Sequence, residues 1–162
     1  MRGLLLSLLI LLVGCTNASL RVPLGDFDVD VALIKSDKVL YVKQSFERPP
    51  LSLTQVVLEG YLSYQQQNVT LGFYATDSKP CSPTQVGSRE IYLCDPESQA
   101  QLGSVSFASA ATQRFEFSNP QLTRGINSGN LWLGVRQENG LFSSGTLRFR
   151  NLTVTATARV AP

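Results

Sequence analysis

From Ser19 onward the apolar residues recur with a period of two, and the runs are bounded by Gly, Pro, Asn and Ser. The clearest run sets Val69, Leu71, Phe73 and Ala75 against Asn68, Thr70, Gly72, Tyr74 and Thr76, which sends one face to a core. Leu131, Leu133 and Val135 do the same and leave Trp132, Gly134 and Arg136 on the opposite face. Phe115 and Phe117 point inward between Arg114 and Glu116. No stretch holds a helical period. The alternation predicts strands over 21–24, 27–34, 39–45, 52–65, 68–76, 90–94, 103–107, 112–118, 130–137 and 145–160. About nine or ten strands in one domain predict an all-β fold, a single antiparallel β-sandwich of jelly-roll-like arrangement.

The last strand changes parity. Leu147 and Phe149 face one way, after which Leu152, Val154, Ala156 and Ala158 take over from even positions, so a bulge or bend is required near Arg150-Asn151. Turn chemistry punctuates the rest: Glu138-Asn139-Gly140 is a strong turn signal, and Ser118-Asn119-Pro120 ends a strand. Gln65-Gln66-Gln67 reads as a polar hairpin connection, residues 78–87 as a loop, and Pro49-Pro50 as a break. Gly125-Ile126-Asn127-Ser128-Gly129 reads as a loop; it lacks the Lys and the strand-to-helix setting of a phosphate loop.

The N-terminus is of another kind. Met1-Arg2-Gly3 precedes Leu4 to Val13, which only Ser7 interrupts; this is a positive segment followed by a signal-peptide core. A spanning helix needs about 20 apolar residues, twice what stands here. The stretch runs into Leu12-Val13-Gly14-Cys15, which resembles the lipobox of bacterial lipoproteins. The resemblance covers only the first residues of the chain. It implies that Cys15 becomes the first residue of the mature protein and carries a diacylglycerol, with a further acyl chain such as palmitate on its amino group. Each buried methylene contributes roughly 0.8 kcal/mol, so two or three chains hold a protein at a bilayer. Thr16 is not the aspartate that retains diderm lipoproteins in the inner membrane, which favours the outer membrane in a host that has one. The expected organisation is a signal peptide over 1–14, a lipidated tether over 15–20 and a sandwich over 21–162.

Three cysteines fit export. With Cys15 assigned to lipid, Cys81 and Cys94 remain, and an even remainder in an oxidising compartment reads as a disulfide, worth on the order of 3 kcal/mol. Lys and Arg number 14 against 12 Asp and Glu, and Arg2 leaves with the leader, so the exported body is near neutral. Its basic residues are scattered, which speaks against nucleic acid as a partner.

Candidate chemistry is sparse. The chain has no His, which removes Ser-His-Asp and Cys-His arrangements and, with no further Cys, a zinc site. Neither a metal nor a cofactor is expected. Asp26, Asp28 and Asp30 alternate with Phe27, Val29 and Val31, lining carboxylates about 7 Å apart along a strand. A calcium loop needs a glycine turn among its ligands, so these read as a solvated face. Glu59, Glu90, Glu116 and Glu138 would make a glycosidase-type pair only if the fold brought two of them together. Asn68-Val69-Thr70 and Asn151-Leu152-Thr153 match the glycosylation sequon but fall within strands.

Trp132, Tyr61 and Tyr74 fall on outward faces, where rings stack on sugars, with Gln65 to Gln67, Asn68 and Arg136 as hydrogen-bonding partners. A sandwich with outward aromatics is similar to carbohydrate-binding modules, although no segment carries a specific family motif. The favoured reading, however, is that these rings pack under loops or a second layer, because large aromatics usually find partial burial. The expectation is therefore a non-enzymatic, lipid-anchored cell-envelope protein. Its partners are the membrane, through the lipid, and an envelope protein or glycan.

Overall fold

The computed structural model describes residues 17–159 except 66–67, 87–88, 98–99, 109 and 142–144. Cys15 and the lipobox lie outside the described residues, as do Gln66 and Gln67. The described residues form eleven strands, one 3-10 turn and one α-helix.

One sheet contains β1 (Asn17–Pro23), β2 (Phe27–Asp30), β4 (Leu53–Ser63), β9 (Thr112–Ser118) and β11 (Thr146–Arg159), in the order β1-β11-β4-β9 with β2 also on β11. The other contains β3 (Val39–Lys43), β5 (Val69–Thr76), β6 (Thr84–Val86), β7 (Arg89–Cys94), β8 (Gln101–Phe107) and β10 (Trp132–Asn139), in the order β6-β7-β3-β10-β5-β8. All pairings are antiparallel. The two cores of that order, β1-β11-β4-β9 and β3-β10-β5-β8, are a jelly roll, with β6 and β7 added as a hairpin beside β3. The predicted sandwich is present.

The alternating residues meet between the sheets. Phe73 packs on Phe117, Phe115 and Phe149 at ring-centre distances of 5.3, 5.8 and 6.0 Å. Leu62, Leu71, Leu147 and Val154 are fully buried around this aromatic centre. Burial of such side chains contributes roughly 1.5–3 kcal/mol each before the entropy of ordering them is counted.

The parity change in β11 is a bulge, as the pattern required. The register against β4 slips between Arg150 and Thr153, and Asn151 sits at φ 54°. Asp26 Oδ1 accepts a hydrogen bond from the Asn151 N–H at 2.8 Å and fixes the bend. A second slip in β4, where Gln55 has φ 52°, compensates it. β1 and β2 are the two halves of one edge, broken where the bulge lies. The Glu138-Asn139-Gly140 turn is also present: Gly140 has φ 84°, and a Cβ there would collide with the Asn68 carbonyl oxygen.

Four expectations need correction. Residues 17–20, read as tether, are paired into β1 against 156–159, because β11 is long enough to offer them an edge. The strand expected over 27–34 stops at Asp30, whose carboxylate accepts from the Ala32 N–H and caps a 3-10 turn over Val31–Leu33. The loop expected over 78–87 contains β6. The segment taken for loop at 125–129 belongs to α1 (Pro120–Ser128): Asn119 caps it, Pro120 stands in its first turn, and Gly129 closes it at φ 71°. Leu122 and Ile126, one turn apart, are fully buried and close one end of the sandwich. The Asn127 side chain bonds both the N–H and the carbonyl of Leu53, tying α1 to β4.

Candidate functional site

The four residues singled out as possible ligand contacts do not meet. Trp132, Tyr74 and Arg136 lie on the outer side of the six-stranded sheet, whereas Tyr61 lies on the outer side of the five-stranded one.

On the six-stranded sheet, Gly134 of β10 stands between Tyr41 of β3 and Tyr74 of β5, and Trp132 lies two positions along the same strand. A Cβ at position 134 would come within 2.7 Å of the Tyr41 ring, so glycine is what lets that ring lie flat across the sheet. Tyr92 of β7 meets Trp132 edge-on at 4.7 Å. The Cys81–Cys94 disulfide, as predicted from cysteine count, clamps the chain after β5 to the end of β7. Cationic ends finish the cover: Lys43 lies 5.8 Å from the Trp132 ring, Lys79 5.6 Å from Tyr92 and Arg136 5.7 Å from Tyr74. Trp132 is 7% and Tyr74 2% exposed. Face parity was right for both, and the reading that such rings pack under cover holds for them, whereas a role as ligand contacts, which needs exposure, does not; they form a second small core with Val39, Tyr41, Cys94 and Ala100. Burial, with the charge of Glu97 adding to it, pushes the Tyr41 hydroxyl up to about 12. Among the described residues the buried Trp132 indole N–H has no hydrogen-bond partner, so the residue acts here as an apolar plate.

The outer side of the five-stranded sheet is open and polar. Its centre is Glu59 on β4. Oε1 accepts from Arg21 of β1 at 2.9 Å and Oε2 from Arg114 of β9 at 3.0 Å; Arg114 also lies 3.8 Å from Glu116. These hydrogen bonds, that of Arg114 foremost and Arg21 next, hold the Glu59 carboxyl below its ordinary value of 4.5. Both arginines stay largely in solvent, with 70% and 61% of their side chains exposed, so the bridge adds little stability and leaves guanidinium donors free. Tyr61 is the next outward residue of β4, 44% exposed, facing Arg114 across one strand gap and Arg150 across the other.

Three hollows follow one another along β4. The middle one, about 580 Å³, is lined by Arg21, Glu59, Tyr61, Arg114, Asn151 and Thr153. Toward the start of β4 it adjoins one of about 420 Å³ that shares Glu59 and adds Ser19, Gln55, Glu116 and Thr157. Toward the other end lies one of about 270 Å³ with Ser63, Gln65, Thr112 and Arg148.

Of the four glutamates, only Glu59 and Glu116 become neighbours, as cross-strand partners. Glu138 accepts from Gln101 and Ser104 and Glu90 from Gln85, all on the six-stranded sheet. A glycosidase acid needs a raised pKa, and Glu59 is pushed the other way. The aspartate row is structural: Asp26 holds the bulge, Asp28 pairs with Arg150 at 2.6 Å, and Asp30 caps a turn. Among the described residues no group of three or more His, Cys, Asp or Glu is placed to hold a metal ion, and no helix is long and apolar enough to cross a membrane.

Neither the bridge nor the middle hollow was foreseen from sequence. The only signal for them was the shared parity of Glu59 and Tyr61. Compared with known proteins, the chain matches no family model and no curated protein.

Proposed function

We propose that this chain is a lipid-anchored cell-envelope protein with a non-catalytic binding role, and that the outer face of its five-stranded sheet is the surface that binds. The observation carrying the reading is the use of its three cysteines. Cys81 and Cys94 are joined to each other, which suits an oxidising compartment. Cys15 is left, in the Leu12-Val13-Gly14-Cys15 motif, for lipid.

Geometry gives the anchor a consequence. β1 begins at Asn17, two positions after Cys15, at the end of the sandwich where β11 finishes and β4 starts. An acylated Cys15 would hold that end against the bilayer. The strands would then lead away from it, with the row of hollows running from the membrane outward.

Detergent phase partition of the protein from its host, with mass spectrometry of the N-terminal peptide, tests the anchor. The expected result is partition into the detergent phase and a diacylglycerol-modified Cys15, both lost in Cys15→Ser. An unmodified Cys15, or a Cys15→Ser protein that still partitions into detergent, would refute it.

A further inference from the structure

We propose that the row of hollows along β4 is a binding groove for a neutral polysaccharide chain, which stacks on Tyr61 and is hydrogen-bonded by Arg21, Glu59 and Arg114. The inference rests on the binding role above and gives its ligand a chemical class.

Shape is the first argument. The hollows extend from Gln55 to Ser63, eight steps of strand, or about 27 Å at 3.4 Å per residue. A compact metabolite would fill one of them. An extended polymer would use all three.

Charge is the second. The face carries both signs: Glu59 lies between Arg21 and Arg114, Glu116 stands opposite Glu59 on β9, and Arg148 lines the far hollow. A polyanion needs a track of one sign and would meet Glu59 and Glu116 here. A neutral sugar carries hydroxyls that each donate and accept, so it needs donors and acceptors side by side. Guanidinium supplies only the first and carboxylate only the second. Glu59 stays ionised and fixed between its two arginines, so both functions are already in place before a ligand arrives.

The third argument is the single ring. Tyr61 is the one large apolar side chain on this face that is exposed among the described residues, since Leu51 and Leu141 lie in loops. One exposed ring among hydroxyls and charges offers a stacking plate for one sugar face and no apolar patch for a protein partner. The aromatics of the six-stranded sheet, buried under the disulfide loop, have no part in this groove.

The test is affinity electrophoresis of the purified full-length protein in detergent, through gels containing hydroxyethyl cellulose, galactomannan, a soluble β-1,3-glucan or, as polyanion, alginate. At least one neutral polymer should retard the protein and alginate should not. Tyr61→Ala should raise the dissociation constant about tenfold or more, equivalent to about 1.4 kcal/mol. Tyr61→Phe should keep most of the affinity, and Trp132→Phe all of it. Retardation by alginate alone, retardation indifferent to Tyr61→Ala, or no retardation by any neutral polymer would overturn the proposal. Failure here with the Cys15 anchor intact would contradict the ligand class alone. Hydrolysis of a retarding polymer would contradict the non-catalytic reading itself.

Discussion

The two outer faces of this sandwich are built from the same kind of alternating strand and have opposite fates. On the six-stranded sheet the outward residues around β10 are large rings, and the chain packs the disulfide-linked segment after β5, Ala100 and three cations against them. On the five-stranded sheet the outward residues include threonines, an Arg-Glu-Arg bridge, further charges at Glu116, Arg148 and Arg150, and one exposed tyrosine, and nothing in the described chain lies over them. A strand's outward parity therefore does not mean exposure. What decides it is whether neighbouring segments remove more apolar area from water by folding over the face than they lose in loop entropy.

The comparison breaks most visibly at its two aromatic residues. Trp132→Ala removes a buried ring and should lower stability by about 3–5 kcal/mol, while Tyr61→Ala should stay within about 0.5 kcal/mol of wild type; denaturant unfolding of both variants measures the contrast. Similar losses from both would erase it. Next in size is the clamp: Cys81→Ser with Cys94→Ser should cost about 2–4 kcal/mol and make Trp132 fluorescence accessible to a soluble quencher. A double variant whose Trp132 stays shielded would show that the segment after β5 covers the ring without the disulfide. The smallest effect belongs to the open face. Because the Glu59 carboxyl is held low, the wild-type advantage over Glu59→Gln is present above pH 4.5 and disappears as pH falls through the lowered value. Thermal unfolding scans from pH 7 to 3 should show that slight, acid-limited difference and nothing larger.

Much of the fold was legible because the period-two pattern marks core positions directly: Phe73, Phe115, Leu133 and the shift from Phe149 to Leu152 all fall where alternation puts them. α1 was not, for a physical reason. It offers only Leu122 and Ile126 as an apolar pair one turn apart, and its capping residues Asn119, Pro120 and Gly129 are also turn formers. Asn68 and Asn151, matched by a glycosylation pattern, turn out to occupy positive φ, which asparagine tolerates better than most residues. The candidate site was half legible. Glu59 and Tyr61 share a face by parity, but the strands that flank them are β1, β9 and β11, brought together by jelly-roll crossovers that leave no mark in local spacing. Likewise, the cover over Trp132 comes from residues far away in the chain, Tyr92 and the Cys81–Cys94 disulfide among them.

The central claim is that one face is closed and the other open, and tyrosine nitration of the folded protein, read by peptide mass spectrometry, tests it most directly. Tyr61 should be nitrated first, while Tyr41 and Tyr74 should remain unmodified until the protein is unfolded. Nitration of Tyr74 at a rate matching Tyr61, in protein that remains folded, would contradict the account.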